Sequence, residues 1–170
     1  MGALLFRALA QSPCLILYSS KIFLYFPSGI ARTQSLRNQN PLYMPFTNVN
    51  IHFVWSTKNR IPYIDSPNLR VTVWDHILEN ANKKKLCIDT INGYHDHCHA
   101  LVFLQVDQTM SQIMRLIKGE SSFWINKNNL CRKKFEWQDE YFAVAVSPSH
   151  LDQVREYIRN QEEHHRRTSF

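Results

Sequence analysis

From residue 49 onward, apolar and polar positions recur along the chain with two different periods. Residues 49–55 alternate between the two kinds, as in a strand with one buried face. Residues 71–81 carry apolar side chains at helical spacing, which is typical of an amphipathic helix. Residues 97–105 are apolar on both faces, which favours a central strand. The same patterns predict strands over 86–91 and 141–146, and helices over 110–124 and 149–165.

The predicted elements follow the order β-α-β-β-α-β, with one more helix at the C-terminus. This order is typical of the ferredoxin-like arrangement, an α+β fold in which helices cover one face of a four-stranded sheet. Many unrelated functions share this scaffold, so the function has to be argued from particular side chains.

Residues 1–43 differ from the rest of the chain. They mix short apolar patches with Ser, Pro and four bases, and they contain no acid. Such a segment is either a leader peptide or spurious upstream translation before a start at Met44, and we favour the second interpretation. We expect residues 1–43 to be poorly ordered and place the functional domain at 44–170.

Composition excludes some functions and leaves others open. Only Gly93 and Gly119 lie beyond residue 40, and neither glycine-rich nucleotide fingerprint occurs, so we expect no nucleotide cofactor. The net charge is +6, but residues 1–43 supply four of those charges, which leaves about +2 for the domain. Local basic clusters are better evidence for an anionic partner: Lys58 with Arg60, Lys83–Lys85, Arg132–Lys134 and Arg166–Arg167.

The compartment is indicated by two further features. The four cysteines show no C-x-x-C spacing, which favours reduced thiols and a cytosolic protein. No apolar run approaches the roughly 18 residues of a membrane span. We therefore expect a cytoplasmic protein that does not enter a membrane.

His97 and His99 are the most informative residues for chemistry. They flank Cys98 at the start of the apolar segment 97–105. Residues i and i+2 of a strand share one face, so both imidazoles should project together while Cys98 points into the packing. Two aligned imidazoles form half of a metal site.

A second pair of polar residues lies in the predicted C-terminal helix. Tyr157 and Gln161 are four residues apart, so they share one flank of that helix. A tyrosine beside an apolar stripe is most often a packing residue, and taken alone this pair carries little weight. Its position downstream of the histidine pair changes that balance.

In combination, residues 44–170 resemble the single-tyrosine HUH transposases, the IS-two-hundred-like and REP-associated enzymes. The resemblance rests on IHFVWSTKNR (51–60), DHCH (96–99), LIKGESS (116–122), FEWQD (135–139), VSPS (146–149) and YIRNQEEHH (157–165). No single segment is decisive, but their joint occurrence in the family order is highly specific.

The resemblance implies an enzyme that cleaves and rejoins single-stranded DNA during transposition. Tyr157 would be the nucleophile, forming a 5′-phosphotyrosine. The metal ligands would be His97, His99 and Gln161, a donor set that suits Mg²⁺ or Mn²⁺. The substrate would be the hairpin ends of a mobile element. A homodimer is also implied, in which the terminal helix of one subunit delivers its tyrosine to the histidines of the other.

Two alternatives remain open at this point. The same domain could hold single-stranded nucleic acid without cutting it, as a decayed or domesticated copy. A zinc hydrolase built on His95, His97 and His99 is also conceivable, although no Asp or Glu follows these histidines at a useful spacing for a base.

Overall fold

The computed structural model of the protein describes residues 14–18, 21–26, 29–35 and 47–168. The chain divides into two compact units, residues 1–46 and 47–170. In the first unit, an antiparallel sheet consists of β1 (Cys14–Tyr18), β2 (Lys21–Phe26) and β3 (Gly29–Ser35). The hydrophobic pattern does not predict these strands, because neither apolar patch keeps a strand period for long. The origin of residues 1–43 and the start at Met44 stay predictions.

The second unit is built on a four-stranded antiparallel sheet. Its elements are β4 (Val49–Ser56), a 3-10 turn (Lys58–Arg60), α1 (Pro67–Lys83), β5 (Cys87–Gly93), β6 (His97–Leu104), α2 (Met110–Lys127) and β7 (Phe142–Val146). The strand order is β5-β6-β4-β7. The predicted α+β, ferredoxin-like order and the central position of β6 are therefore confirmed.

Local capping explains where the two helices of this unit begin. The side chain of Ser66 accepts a hydrogen bond from the Leu69 amide at 3.1 Å, and Pro67 fits the first turn because that position needs no amide donor. Thr109 and Gln112 form a reciprocal capping box at the start of α2. Thr109 is therefore the N-cap of α2.

The two faces of the sheet differ in composition. Alternate residues of β4 and β6 pack with α1 and α2 into the main hydrophobic core: Ile51, Phe53, Trp55, Cys98, Ala100 and Val102. The residues between them belong to the opposite face, where helical contacts come from the C-terminal segment onto β5 and β6. The prediction that Cys98 points into the packing is confirmed, since its side chain is fully buried.

The C-terminal segment is not the single helix over 149–165 that its pattern predicts. A 3-10 turn (Pro148–His150) leads into α3 (Leu151–Arg159), and α4 (Gln161–Thr168) follows after Asn160. Ser147 does not cap a helix with its side chain, because its hydroxyl bonds to the side chains of Ser149 and His150. The break at Asn160 lies between the two residues of the Tyr157 and Gln161 pair.

The structure also bears on the expected thiols and on membrane association. Cys98 and Cys131 carry free thiols, as the cysteine spacing predicts for these two residues. Within residues 47–168, none of the helices combines the length and the apolar character needed to cross a bilayer.

Candidate active site

A cavity of about 510 Å³ opens beside the histidine pair, on the sheet face opposite α1 and α2. Its lining includes all four residues singled out from the sequence: His97, His99, Tyr157 and Gln161. His97 and His99 are both buried, and their ring centroids lie 5.2 Å apart. The predicted common face of the two imidazoles is thus confirmed.

The turn between β5 and β6 determines where His97 lies. A side chain at Gly93 would collide with the His97 backbone, so this tight turn requires glycine. The Tyr94 amide donates to the His97 carbonyl at 3.0 Å and closes the turn. His97 therefore stands at the first position of β6, at the edge of the cavity.

Asp96 fixes the ring of His97. The Nδ1 of His97 lies 2.7 Å from Oδ1 of Asp96, and Nε of Arg60 donates to Oδ2 at 3.0 Å. Burial alone would raise the pKa of Asp96, but the hydrogen bond from His97 and the nearby positive groups, Arg60 among them, outweigh it and lower the pKa. The carboxylate thus stays ionised and holds the Nδ1 proton of His97, which leaves Nε2 as an acceptor.

His52 of β4 holds the ring of His99 in a similar way. Nε2 of His52 lies 3.1 Å from Nδ1 of His99, with the two rings stacked at 5.2 Å. Burial, with smaller contributions from the neighbouring histidines led by His97, lowers the pKa of His99 to about 3. His99 is therefore neutral near pH 7, which is the form that binds metals.

Gln161 carries a buried amide oxygen without a partner. Its side chain is fully buried, and its Nε2 donates to the Tyr157 carbonyl at 3.1 Å. This bond identifies the nitrogen, so the remaining atom is Oε1, which has no hydrogen-bond partner among the described residues. An unpaired buried acceptor costs roughly 1–3 kcal/mol, and a bound cation would remove that cost.

Tyr157 is the most exposed of the four residues. Its side chain is 45% exposed, and its ring lies 5.5 Å from that of His99 and 6.1 Å from that of His52. These contacts are made within one chain. A reactive group for a large external substrate has to be accessible, and Tyr157 meets that condition.

Three polar contacts anchor α3 and α4 to the rest of their own chain. Arg155 donates to the buried Asp89 of β5 at 2.7 Å. The carbonyl of Arg159 accepts from Asn92 at 2.8 Å. The buried guanidinium of Arg70 donates to Oε1 of Glu162 at 2.8 and 2.9 Å. These bonds, with the fully buried Ile158, hold Tyr157 and Gln161 beside the histidines.

The chain matches the model of a known protein family. Residues 45–161 match the family model described as Transposase IS200 like. The chain belongs to the IS200-like transposase family. It is therefore a transposase of the single-tyrosine type, which confirms the resemblance drawn from the sequence.

Solved structures of IS200-like and related proteins share the fold. A candidate transposase from Deinococcus radiodurans R1 is 18% identical, with a TM-score of 0.55, over 74% of this chain and 98% of its own. A REP-associated tyrosine transposase bound to a REP hairpin is 15% identical, with a TM-score of 0.54, over 76% of this chain and 74% of its own. The chain finds no match among curated proteins.

Three residues that shape this cavity were not predicted to belong to the active site. Arg60, His52 and His165 line it or contact the histidine pair. His52 could have been found, because it alternates with the core residues of β4 and so shares the face of His99. Arg60 and His165 depend on a turn and a helix whose positions local patterns do not fix.

Several side chains of the basic clusters are paired with acids: Lys58 with Asp139, Lys134 with Glu136, and Arg166 and Arg167 with Glu163. Trp137 is buried, and its Nε1 donates to the hydroxyl of Ser121. Tyr141 lines the cavity and is partly exposed.

The three-histidine zinc site receives no support from the geometry. His95 does not line the cavity, and its ring packs against Tyr94 at 4.3 Å. Across residues 47–168, no three His, Cys, Asp or Glu side chains come together in a way that could hold a metal ion. A site that includes Gln161 therefore fits better than one built from His95.

Proposed function

We propose that this transposase cleaves and rejoins single-stranded DNA in a metal-dependent reaction. In this proposal Tyr157 is the nucleophile. The metal ligands are His97, His99 and Gln161. The observation that carries the proposal is the unpaired, buried Oε1 of Gln161, because it belongs to the cavity that also holds the histidine pair and the accessible tyrosine.

The donor set fits a hard or borderline divalent cation. Two neutral imidazoles and an amide oxygen, without a thiolate, suit Mg²⁺ or Mn²⁺. Such an ion would polarise the scissile phosphate and stabilise charge on its oxygens. Asp96 and His52 engage the Nδ1 atoms of the two histidines. That leaves both Nε2 atoms for coordination and supplies the outer contacts that orient metal-binding imidazoles.

The chemistry at Tyr157 is an in-line displacement at phosphorus. The phenolic oxygen forms a bond to phosphorus while the bond from phosphorus to the 3′ oxygen breaks. The phenol loses one proton and the departing oxygen gains one, which gives a 5′-phosphotyrosine and a free 3′-hydroxyl. Because the covalent link retains the phosphodiester for rejoining, the reaction needs no nucleotide cofactor.

The proposed substrate is a single strand next to a DNA hairpin at the end of a mobile element. A REP-associated tyrosine transposase of similar fold has been solved with a REP hairpin, which supports this choice. Arg60 lines the cavity with a side chain that is two-thirds exposed, so it can meet a phosphate while its Nε stays on Asp96. With such a substrate, we expect the protein to act on DNA in the bacterial cytoplasm.

The expected homodimer stays a prediction, and we propose that each chain in it uses its own tyrosine. The edge strand β7 exposes Phe142 and Val144, and an apolar sheet edge favours pairing with another chain. The contacts that bring Tyr157 to His99 form within one chain. Exchange of the terminal helix between subunits is therefore not needed to complete a site.

A cleavage assay tests the proposed function. Single-stranded oligonucleotides carrying the hairpin that flanks the locus are incubated with the protein and Mg²⁺ or Mn²⁺, then resolved on a denaturing gel. Wild type should give a covalent protein–DNA band only with metal, and Tyr157→Phe and His97→Ala should give none. DNA binding without any band would favour the non-cleaving module. Cleavage that survives Tyr157→Phe would contradict the role of that residue.

A further inference from the structure

One aromatic side chain at the cavity has no role in the proposed chemistry. Phe142 is the first residue of β7 and pairs with Val54 of β4, which pairs on its other side with His99 of β6. Residues that pair directly across antiparallel strands share one face of the sheet. Phe142 therefore projects from the same face as His99, and two strand spacings, roughly 10 Å, separate their backbones.

Phe142 lies on a part of this face that remains open. The terminal helices α3 and α4 pack on β5 and β6, whereas Phe142 lines the cavity and is 66% exposed. Val144, the next residue of β7 on the same face, is exposed as well. Aromatic side chains in such positions stack on unpaired bases, and four-stranded sheets of RNA-recognition domains bind bases in this way.

The charges along the cavity differ between its two ends. Near the histidine pair, the exposed guanidinium of Arg60 supplies a positive charge that suits a phosphate. Near Phe142, the cavity is lined by Glu140, whose carboxylate repels phosphate. The Phe142 end of the cavity therefore favours the uncharged base of a nucleotide over its backbone.

We infer that Phe142 stacks on an unpaired base of the DNA strand next to the scissile phosphate, an inference that rests on the proposed function. With the scissile phosphate between Tyr157 and the histidines, an adjoining nucleotide places its base on the ring of Phe142. Stacking tolerates any base, because every base has a π-face. The contact therefore positions the strand for cleavage and does not read its sequence.

A homodimer formed through β7 is compatible with this role. Strand pairing between two chains engages the backbone groups at the edge of β7. The ring of Phe142 projects from the face of the sheet, perpendicular to that edge. Pairing through the edge therefore leaves the ring accessible to DNA.

Binding to single-stranded DNA tests this inference. Every variant also carries Tyr157→Phe so that no adduct forms, and fluorescence anisotropy gives the Kd for a labelled hairpin with a single-stranded flank. Phe142→Ala should raise Kd about 5- to 150-fold, the effect of losing one base stacked on an aromatic ring. Phe142→Trp should restore binding. Phe123→Ala is the matched control, since Phe123 of α2 is 65% exposed but lies outside the cavity, and it should leave Kd unchanged.

Substrates that lack one base identify the nucleotide that stacks. Bases are removed one at a time from the flank, leaving the sugar and phosphate in place. At one position, the loss of the base should weaken binding to Phe142, and Phe142→Ala should then cause no further loss because there is nothing left to stack. If Phe142→Ala causes the same loss on every such substrate, the inference is overturned.

The outcomes separate this inference from the proposed function. If wild type forms the adduct and Phe142→Ala leaves Kd unchanged, the role of Phe142 is refuted and the proposed function stands. If wild type forms no adduct, the proposed function fails, and the placement of Phe142 beside a scissile phosphate fails with it. Light scattering gives the oligomeric state, and a loss of binding that follows from dissociation of a dimer would assign Phe142 to an interface between copies and overturn the inference.

Discussion

The two faces of the sheet in residues 47–168 come from the same strands but serve different purposes. On the face under α1 and α2, Phe53 and Cys98 are sealed in a continuous apolar core. On the other face, their strand neighbours His52 and His99 contact each other beside an open cavity. Adjacent residues of one strand therefore differ in role, since one packs in the core and the next contributes to the polar site.

This difference shows how a small domain can carry a polar site without losing its core. Because side chains alternate across a strand, β4 and β6 supply both sets of residues on rigid backbone. The polar face is completed by α3 and α4, which are anchored by ion pairs such as Arg155 with Asp89. Changes on one face should therefore affect stability, and changes on the other should affect chemistry.

The largest effect is expected at Tyr157. Tyr157→Phe should abolish the covalent DNA adduct, because the nucleophilic oxygen is removed. The side chain is about half exposed, so the free energy of unfolding should stay within about 0.5 kcal/mol of wild type. Tyr141→Phe is the matched control, since it removes a second hydroxyl from the same cavity. An adduct that depended on Tyr141 would reverse the assignment.

On the core face, Phe53→Ala should cost about 3–5 kcal/mol of unfolding free energy. The ring is fully buried between the sheet and its helices, so its removal leaves a cavity. Urea denaturation followed by circular dichroism measures the change. Val144→Ala removes an apolar side chain from the exposed side of β7 and should cost less than about 1 kcal/mol. Equal losses for the two variants would contradict the two-face description.

On the polar face, Asp96→Asn should weaken metal binding by about 10- to 100-fold. The amide can still accept from Nδ1 of His97, but the charge that stabilises that proton is lost. Mn²⁺ titration calorimetry measures the effect. Asp139→Asn removes an exposed carboxylate that pairs with Lys58, and it should leave Kd unchanged. If Asp96→Asn leaves the Kd for Mn²⁺ unchanged, Asp96 does not contribute to metal binding.

The last prediction is that mixing two inactive variants restores no activity. A mixture of the Tyr157→Phe protein and the His97→Ala protein should form no DNA adduct, because the tyrosine and histidines of each site lie in one chain. If the terminal helices are exchanged in a homodimer, some mixed dimers contain one intact site, and an adduct reappears. The band on a denaturing gel therefore separates the two arrangements.

Much of the fold was predictable because the strands and helices keep steady periods. Residues 49–55 alternate cleanly, and the observed β4 (Val49–Ser56) contains them. The shared face of His97 and His99 follows from strand geometry alone. The break between α3 and α4 did not follow, because no proline or glycine marks Asn160.

The long-range contacts of the site could not be read from local patterns. His52 and His99 are 47 residues apart, and His97 and His165 are 68 apart. Only the β5-β6-β4-β7 order and the docking of α4 bring them together. The same holds for the unpaired amide oxygen of Gln161, since its burial depends on where α4 packs rather than on its spacing from Tyr157.

The most direct test of this account is to locate the nucleotide that remains on the protein after cleavage. The covalent adduct formed on a single-stranded hairpin substrate is digested with protease and nuclease, and its peptides are sequenced by mass spectrometry. We predict a nucleotide phosphate on the oxygen of Tyr157 and on no other residue. A nucleotide on Tyr141, or on any residue other than Tyr157, would contradict it.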